Sequence, residues 1–392
     1  MSGFTKYIYD KDIHDILNMW NVQLKVISQI LPIKYNKDII INLLKKYYPY
    51  EWQGVEYKYL YYTKKDEFIK KFKYEKRYNM LHPLVLIEKC NHYKKIQSSE
   101  YKIKWKEKYS EISVKAFEER LIKERIPKIK KIEEKINTAL KKTELVTPQF
   151  IDELIGYYSR INTTQKDRVY ILLELQKYFN STVINFFFKI NDCELNKQLR
   201  IQAFKHLQSF NFPIRLRRQK YMIVHSSNKK RKEYLKKIYP NERYEIPMSP
   251  VELQYRLENS FEQNVKNYDY FISHSYLDKE EVQKLIIYEN KKGKNIFCDW
   301  INDVDYLKRN LLCEATLKVI EKRLEQSKAL IFVKSSNSLN SKWCNYELNY
   351  FYNLNKPIYI INKENINNES YEIEYLVDAW FKDEDYKKII NL

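Results

Sequence analysis

The sequence predicts a multidomain protein: a mainly α-helical amino-terminal region followed by a carboxy-terminal α/β domain with a parallel sheet. Three observations predict it. The 392 residues exceed what one hydrophobic core usually serves, and a composition 44% hydrophobic and 31% charged can fill packed cores. Apolar residues recur at three- and four-residue spacing up to about residue 263, whereas short β-rich runs alternate with helical stretches from Tyr268 onward. Charge changes at the same place: residues 1–265 carry 52 basic and 31 acidic side chains, and residues 266–392 carry 19 and 20.

In the amino-terminal region, Ile13, Ile16, Leu17, Trp20, Leu24 and Ile27 line one face of a first amphipathic helix. Tyrosines and lysines interleave from Tyr47 to Tyr78, which reads either as half-buried packing or as a base-stacking surface. Between Glu100 and Leu140 a long charged pattern contains Pro127, which should kink or end its helix. Residues 1–145 are therefore read as a basic helical region. After Thr147-Pro148, helices are expected at about 148–160, 165–179 and 193–209. The last two, with VINFFFKI between them, resemble a HEAT-type pair through Leu199, Arg200, Ala203, Phe204 and Leu207, and an ordinary helical bundle is the other reading. Residues 146–245 are assigned to this helical, HEAT-like or bundle-like, domain. Its basic charge peaks at residues 215–237, where Arg215, Arg217, Arg218, Lys220, Lys229, Lys230, Arg231, Lys232, Lys236 and Lys237 face only Glu233. Such a run either binds the phosphates of a nucleic acid, or an acidic protein, or is a solvated face.

Residues 246–266 form the connector. Ser249-Pro250 with Glu252 supplies an N-cap, a first-turn proline and a capping-box glutamate. From residue 267 the pattern is strand YDYFIS, then a helix opened by Asp278-x-x-Glu281 as capping box and closed near Gly293. Strand Asn295–Asp299, a polar loop Trp300–Asn310 and a helix to about Ser327 follow. Strand ALIFVKS, a helix at about Trp343–Tyr352 and strand PIYIIN complete it. Such alternation makes right-handed parallel βαβ units. Ligands then bind beyond the carboxyl ends of the strands, here Ser273–Ser275, Asp299–Trp300 and Ser335–Ser336.

Several chemistries are excluded. The four glycines, Gly3, Gly54, Gly156 and Gly293, build no G-x-G-x-x-G and no G-x-S-x-G, and Tyr288 stands where a P-loop ending at Gly293-Lys294 needs glycine. Five cysteines without a C-x-x-C argue against a disulfide framework and a zinc cluster, so no metal is expected and a reducing cytoplasm is. The start lacks a signal-peptide pattern, and no run approaches the roughly 18 apolar residues of a membrane span, so no membrane partner is expected.

Three blocks resemble the TIR (Toll/interleukin-1 receptor) domain family over residues 266–392. They are Asp269-Tyr-Phe-Ile-Ser273-His-Ser275 with Asp278, the strand and loop around Asp299, and Ser338-x-x-Ser341-x-Trp343-Cys344-x-x-Glu347-Leu348. The resemblance implies a flavodoxin-like parallel sheet and, for the prokaryotic NAD-cleaving type, Glu347 as catalytic carboxylate. NAD would be substrate, with no cofactor. The chemistry can be argued independently: nicotinamide leaves as a neutral ring, so no general acid is needed, and one carboxylate can stabilise the oxocarbenium-like charge. Glu347 is expected on an exposed helix face, with Trp343 one turn earlier on the same face. Trp343, Ser273, Ser275, Asp299 and Trp300 are the candidate NAD-binding residues. His274 is read as a loop residue, and Lys342, Lys308 and Arg309 as exposed bases that could face the pyrophosphate. The implied function is an NAD hydrolase or ADP-ribose cyclase in signalling or antiphage defence, assembling as a homo-oligomer through its TIR domains, with the helical region as sensor or assembly module. The alternative is a non-catalytic TIR adaptor that works through TIR–TIR contact.

Overall fold

The computed structural model describes residues 4–376 apart from 73–74, 219–221, 223, 225, 265 and 308–312. The chain packs into two compact units, one of residues 1–139 and 179–243, the other of residues 140–178 and 244–392. The segment 146–245 is thus shared between the units. Among the described residues no helix is long and apolar enough to cross a membrane. The long helix Glu111–Glu144 continues through Pro127 instead of ending there.

The first unit is helical. Ile16, Trp20, Leu24 and Ile27 of the helix Phe4–Ile27 are buried, as their spacing predicts. Tyr47, Tyr48, Tyr61, Tyr62 and Tyr78 are buried too, which makes them packing residues and removes these rings from any base-stacking surface. Gly54 lies where the helix Pro49–Lys71 meets Phe212 and Pro213; a Cβ there would come within 2.6 Å of Pro213 Cδ. VINFFFKI is not a spacer. It lies inside a helix Ser181–Cys193, capped by Asn180, which buries Val183, Ile184, Phe187 and Phe188 at helical spacing and packs against the helix Lys197–Gln208. The helix Gln165–Leu175 belongs to the other unit, so the pair expected across 165–209 is replaced by this one.

Arg217 departs from the basic segment in which the sequence placed it. Its guanidinium is buried and paired with Asp12 at 2.5 Å and Asp192 at 3.2 Å. Lys58 also pairs with Asp12, and the hydroxyls of Tyr62 and Tyr61 donate to Asp12 and Asp192. Burial raises the Asp12 carboxyl, but Lys58 and Arg217 outweigh it and hold the group below the usual range.

The second unit contains the sheet. Helices Pro148–Tyr158, Gln165–Leu175 and Pro250–Asn259 start at the caps Thr147, Thr164 and Ser249, the last accepting from the Glu252 amide. The strands are β1 (Tyr268–Ser273), β2 (Ile296–Phe297), β3 (Ser327–Lys334), β4 (Ile358–Asn362) and β5 (Glu374–Tyr375), in the order β2-β1-β3-β4-β5. All neighbours pair in parallel except β4 and β5. Alternation along β1 and β3 feeds two cores. Phe271, Leu330 and Phe332 pack with Leu348 and Phe351 on one face, and Ile272, Ile331 and Val333 pack with Val282, Leu285 and Ile286 on the other. The helix Lys279–Lys291 ends before Gly293, whose φ of +79° is the left-handed conformation a helix stop requires.

Two details differ from the sequence expectation. β2 has two residues where five were expected, because the Cys298 amide turns to the Asn302 side chain at 2.8 Å and a helical turn starts at Asp299. Asp278 makes no capping bond to its helix. It is buried and accepts from Ser335 Oγ at 2.5 Å, Asn337 Nδ2 at 2.8 Å and Lys363 Nζ at 3.0 Å, so it ties the carboxyl ends of β1, β3 and β4 together.

Candidate active site

The order of the sheet puts the change of winding direction between β1 and β3, where ligands of such sheets bind. The helix Lys342–Asn353 is anchored over this point. Ser341 caps it by accepting from the Cys344 amide, while Cys344, Leu348 and Phe351 recur at helical spacing and are buried against the sheet. Glu347 is thereby carried to the carboxyl end of β1, where Ser273 Oγ donates to its Oε2 at 2.6 Å. Both side chains are buried, Glu347 at 5% exposure and Ser273 at 0%. The exposed setting expected for Glu347 is corrected: its neighbours on the helix are core residues, and they draw it inward.

Burial pushes the Glu347 carboxyl well above its ordinary range and the negative charge of Asp299 adds to the shift, while the hydrogen bond from Ser273 opposes it. Asp299 opens the turn after β2 and is partly exposed. Trp300 follows, its ring 6.2 Å from His274 and 6.3 Å from Tyr276, and its buried indole N–H finds no acceptor among the described residues. Trp343 stands one turn before Glu347 and is 39% exposed, outside the core. Ser275 has a local role, its hydroxyl accepting from the Leu277 amide. Lys342 is exposed, and Lys308 and Arg309 lie outside the described residues.

The structure therefore gathers Ser273 and Glu347 in direct contact, with Asp299 close enough to raise the glutamate. Two further groups join them. His274 and Cys298 approach with Nε2 and Sγ 3.8 Å apart, and together with an Asp299 oxygen their donor atoms lie within 4.8 Å of one another. Sequence reasoning did not single out Cys298, because it meets His274 only through the pairing of β1 with β2. A cavity of about 410 Å³ lies at the opposite, amino ends of the strands, bordered by Phe150, Leu154, Lys266, Asn267 and Asn295, and none of the candidate residues lines it.

Comparison with known proteins identifies relatives of this chain. The family model described as Thoeris protein ThsB, TIR-like domain, matches residues 271–368. A protein of Cytobacillus dafuensis, named TIR2 and provisionally described as a cyclic ADP-D-ribose synthase, is 36% identical over 365 residues, 92% of each chain. A Bacillus cereus protein, ThsB′, provisionally described as a 3′ cyclic ADP-D-ribose synthase, is 34% identical over 107 residues, 27% of this chain and 55% of its own. No solved structure gives a significant match.

Proposed function

This chain belongs to the family of Thoeris ThsB-type TIR proteins, and from that premise we propose that it cleaves NAD at the nicotinamide–ribose bond and cyclises the remaining ADP-ribose in antiphage defence. The observation that carries the reading is the buried Glu347 held by Ser273 at the carboxyl end of β1. A carboxylate there, away from bulk water, interacts strongly with positive charge developing at the anomeric carbon. Nicotinamide departs with the bonding electrons as a neutral ring, so the step needs no proton donor. A hydroxyl of the ADP-ribose then attacks the anomeric carbon, and its proton passes to Glu347 or solvent. Attack by water instead gives linear ADP-ribose. The names of both relatives favour the cyclic outcome.

Trp343 and Trp300 offer aromatic faces for the base or ribose and Asp299 a polar contact, while the buried Ser273 orients Glu347. Self-association of TIR domains is part of the proposal: the loop beginning at Trp300 of one copy completes the site of another. The exposed basic helix Lys229–Lys237 is proposed as the surface for a nucleic acid or an acidic protein.

The test is incubation of the full chain with NAD at low and high protein concentration, with nicotinamide, ADP-ribose and cyclic products resolved. Cyclic product and free nicotinamide, with specific activity rising with concentration, are expected. Absence of nicotinamide at every concentration refutes the enzyme reading and leaves the adaptor; linear product alone refutes cyclisation; constant specific activity on dilution to monomer refutes assembly.

A further inference from the structure

We propose that His274, Cys298 and Asp299 form a zinc-binding site at the edge of the active site, and that the bound ion inhibits the enzyme. The inhibitory half rests on the NAD-cleaving reading; the binding half does not. Three observations carry the site. First, one imidazole nitrogen, one sulfur and one carboxylate converge within 4.8 Å, and this mixture of borderline and soft donors suits zinc rather than magnesium or calcium. Second, the separation of 3.8 Å between His274 Nε2 and Cys298 Sγ is close to the edge of about 3.6 Å that zinc–nitrogen and zinc–sulfur bonds subtend in a tetrahedron. Rotation of the partly exposed Asp299 side chain brings in the third donor. Third, His274 Nδ1 lies 3.2 Å from the Ile272 carbonyl oxygen. That acceptor fixes the proton on Nδ1 and turns the Nε2 lone pair toward the sulfur, the outer-shell arrangement by which proteins orient a metal-binding histidine.

The surroundings complement a cation. No basic side chain pairs with Asp299 among the described residues, which leaves its carboxylate available to a cation. Three protein donors leave a fourth position for water. Binding converts the Cys298 thiol to zinc thiolate and releases its proton to solvent. Inhibition follows from charge and geometry: the ion takes Asp299 out of reach of substrate, and its two positive charges, less the one thiol proton released, leave the site one unit more positive and offset part of the negative field in which Glu347 would stabilise an oxocarbenium-like state.

The experiment titrates metal-free full-length protein with Zn²⁺ by calorimetry and with Co²⁺ by absorption, which reports a thiolate ligand and tetrahedral geometry. One equivalent is expected per chain. His274→Gln and Cys298→Ala should each weaken affinity at least tenfold, the Co²⁺ thiolate band should vanish in Cys298→Ala, and thermal melting checks that each variant is folded. Zn²⁺ should suppress NAD cleavage by wild-type protein, and His274→Gln should need at least tenfold more Zn²⁺ for the same fractional suppression of its own metal-free activity. No binding, or binding unchanged in both variants, overturns the site. Binding lost in the variants while Zn²⁺ inhibits them as before overturns the inhibitory role. Ligand-dependent binding to a protein that never cleaves NAD supports the site and refutes the enzyme reading instead.

Discussion

Burial of Glu347 disfavours its ionised form, so the carboxylate that serves the proposed chemistry also weakens the folded state. Glu347→Gln should lower NAD cleavage by a hundredfold or more, about 3 kcal/mol of transition-state stabilisation, while the protein stays folded; retention of a third of the activity would rule out the assigned role. Stability should move the other way. A folded-state value raised above the unfolded one contributes stability that is complete below the unfolded pKa and lost as pH rises through the folded value. The melting temperature of Glu347→Gln should therefore exceed wild type at about pH 8 and lose that advantage toward about pH 5; an unchanged or lowered value at the higher pH would contradict the burial argument. The activity profile gives an independent check. Cleavage needs the ionised form, so kcat/KM should rise with pH through an apparent pKa above the ordinary carboxylate range. Removing the like charge in Asp299→Asn should shift that rise to lower pH, and removing the donor in Ser273→Ala should shift it higher. A profile that does not move in Asp299→Asn would show that the charge of Asp299 does not set the ionisation of Glu347.

At the scale of elements, what sequence could reveal depended on how local the cause was. Ser249 as cap, Ile16, Trp20, Leu24 and Ile27 as a buried face and Gly293 as helix stop are short-range effects, and the structure has each where its spacing predicts. The inward position of Glu347 was not legible, because a glutamate's polarity points to water and only packing of the whole helix says otherwise. β2 was overestimated because an apolar run does not show where the backbone amide will turn to Asn302. The capping role read for Asp278 failed for a similar reason: its partners Ser335, Asn337 and Lys363 lie 57, 59 and 85 residues away. Because this carboxylate ties its own loop to two others at the edge where the site is built, Asp278→Ala should cost about 2–4 kcal/mol in chemical denaturation by leaving the buried Ser335 hydroxyl and the part-buried Asn337 and Lys363 donors without this acceptor. A loss below about 0.5 kcal/mol, the size of an ordinary surface substitution, would mean that the three strand ends hold together without it.

For the whole molecule, the charge asymmetry survives in the structure but its basic peak must be divided. Arg217 belongs to a buried ion network whose partners Asp12 and Asp192 stand 205 and 25 residues away, so no local pattern could have separated it from its basic neighbours. Lys229, Lys230, Lys232, Lys236 and Lys237 are exposed on one helix, and with the exposed Arg218 they are side chains able to meet phosphates. The two groups predict opposite behaviour under substitution. If the exposed lysines bind nucleic acid, the full chain should take up an oligonucleotide duplex at about 50 mM salt, with log affinity falling against log salt at a slope of about −3, roughly −0.9 for each phosphate neutralised. Replacing Lys229, Lys230, Lys232 and Lys236 with glutamine should flatten that slope by about three and leave the melting temperature close to wild type, since solvated side chains contribute little to stability. Arg217→Gln should do the reverse: removing one partner of a buried pair leaves Asp12 and Asp192 undercompensated, at a cost of about 3–5 kcal/mol, while the lysine helix still supplies its contacts. Fluorescence titration and thermal melting of the same two proteins decide the matter. No binding by wild type, or a salt slope unchanged in the lysine variant, leaves an acidic protein as the partner to seek, since a protein surface can match this charge without phosphate spacing.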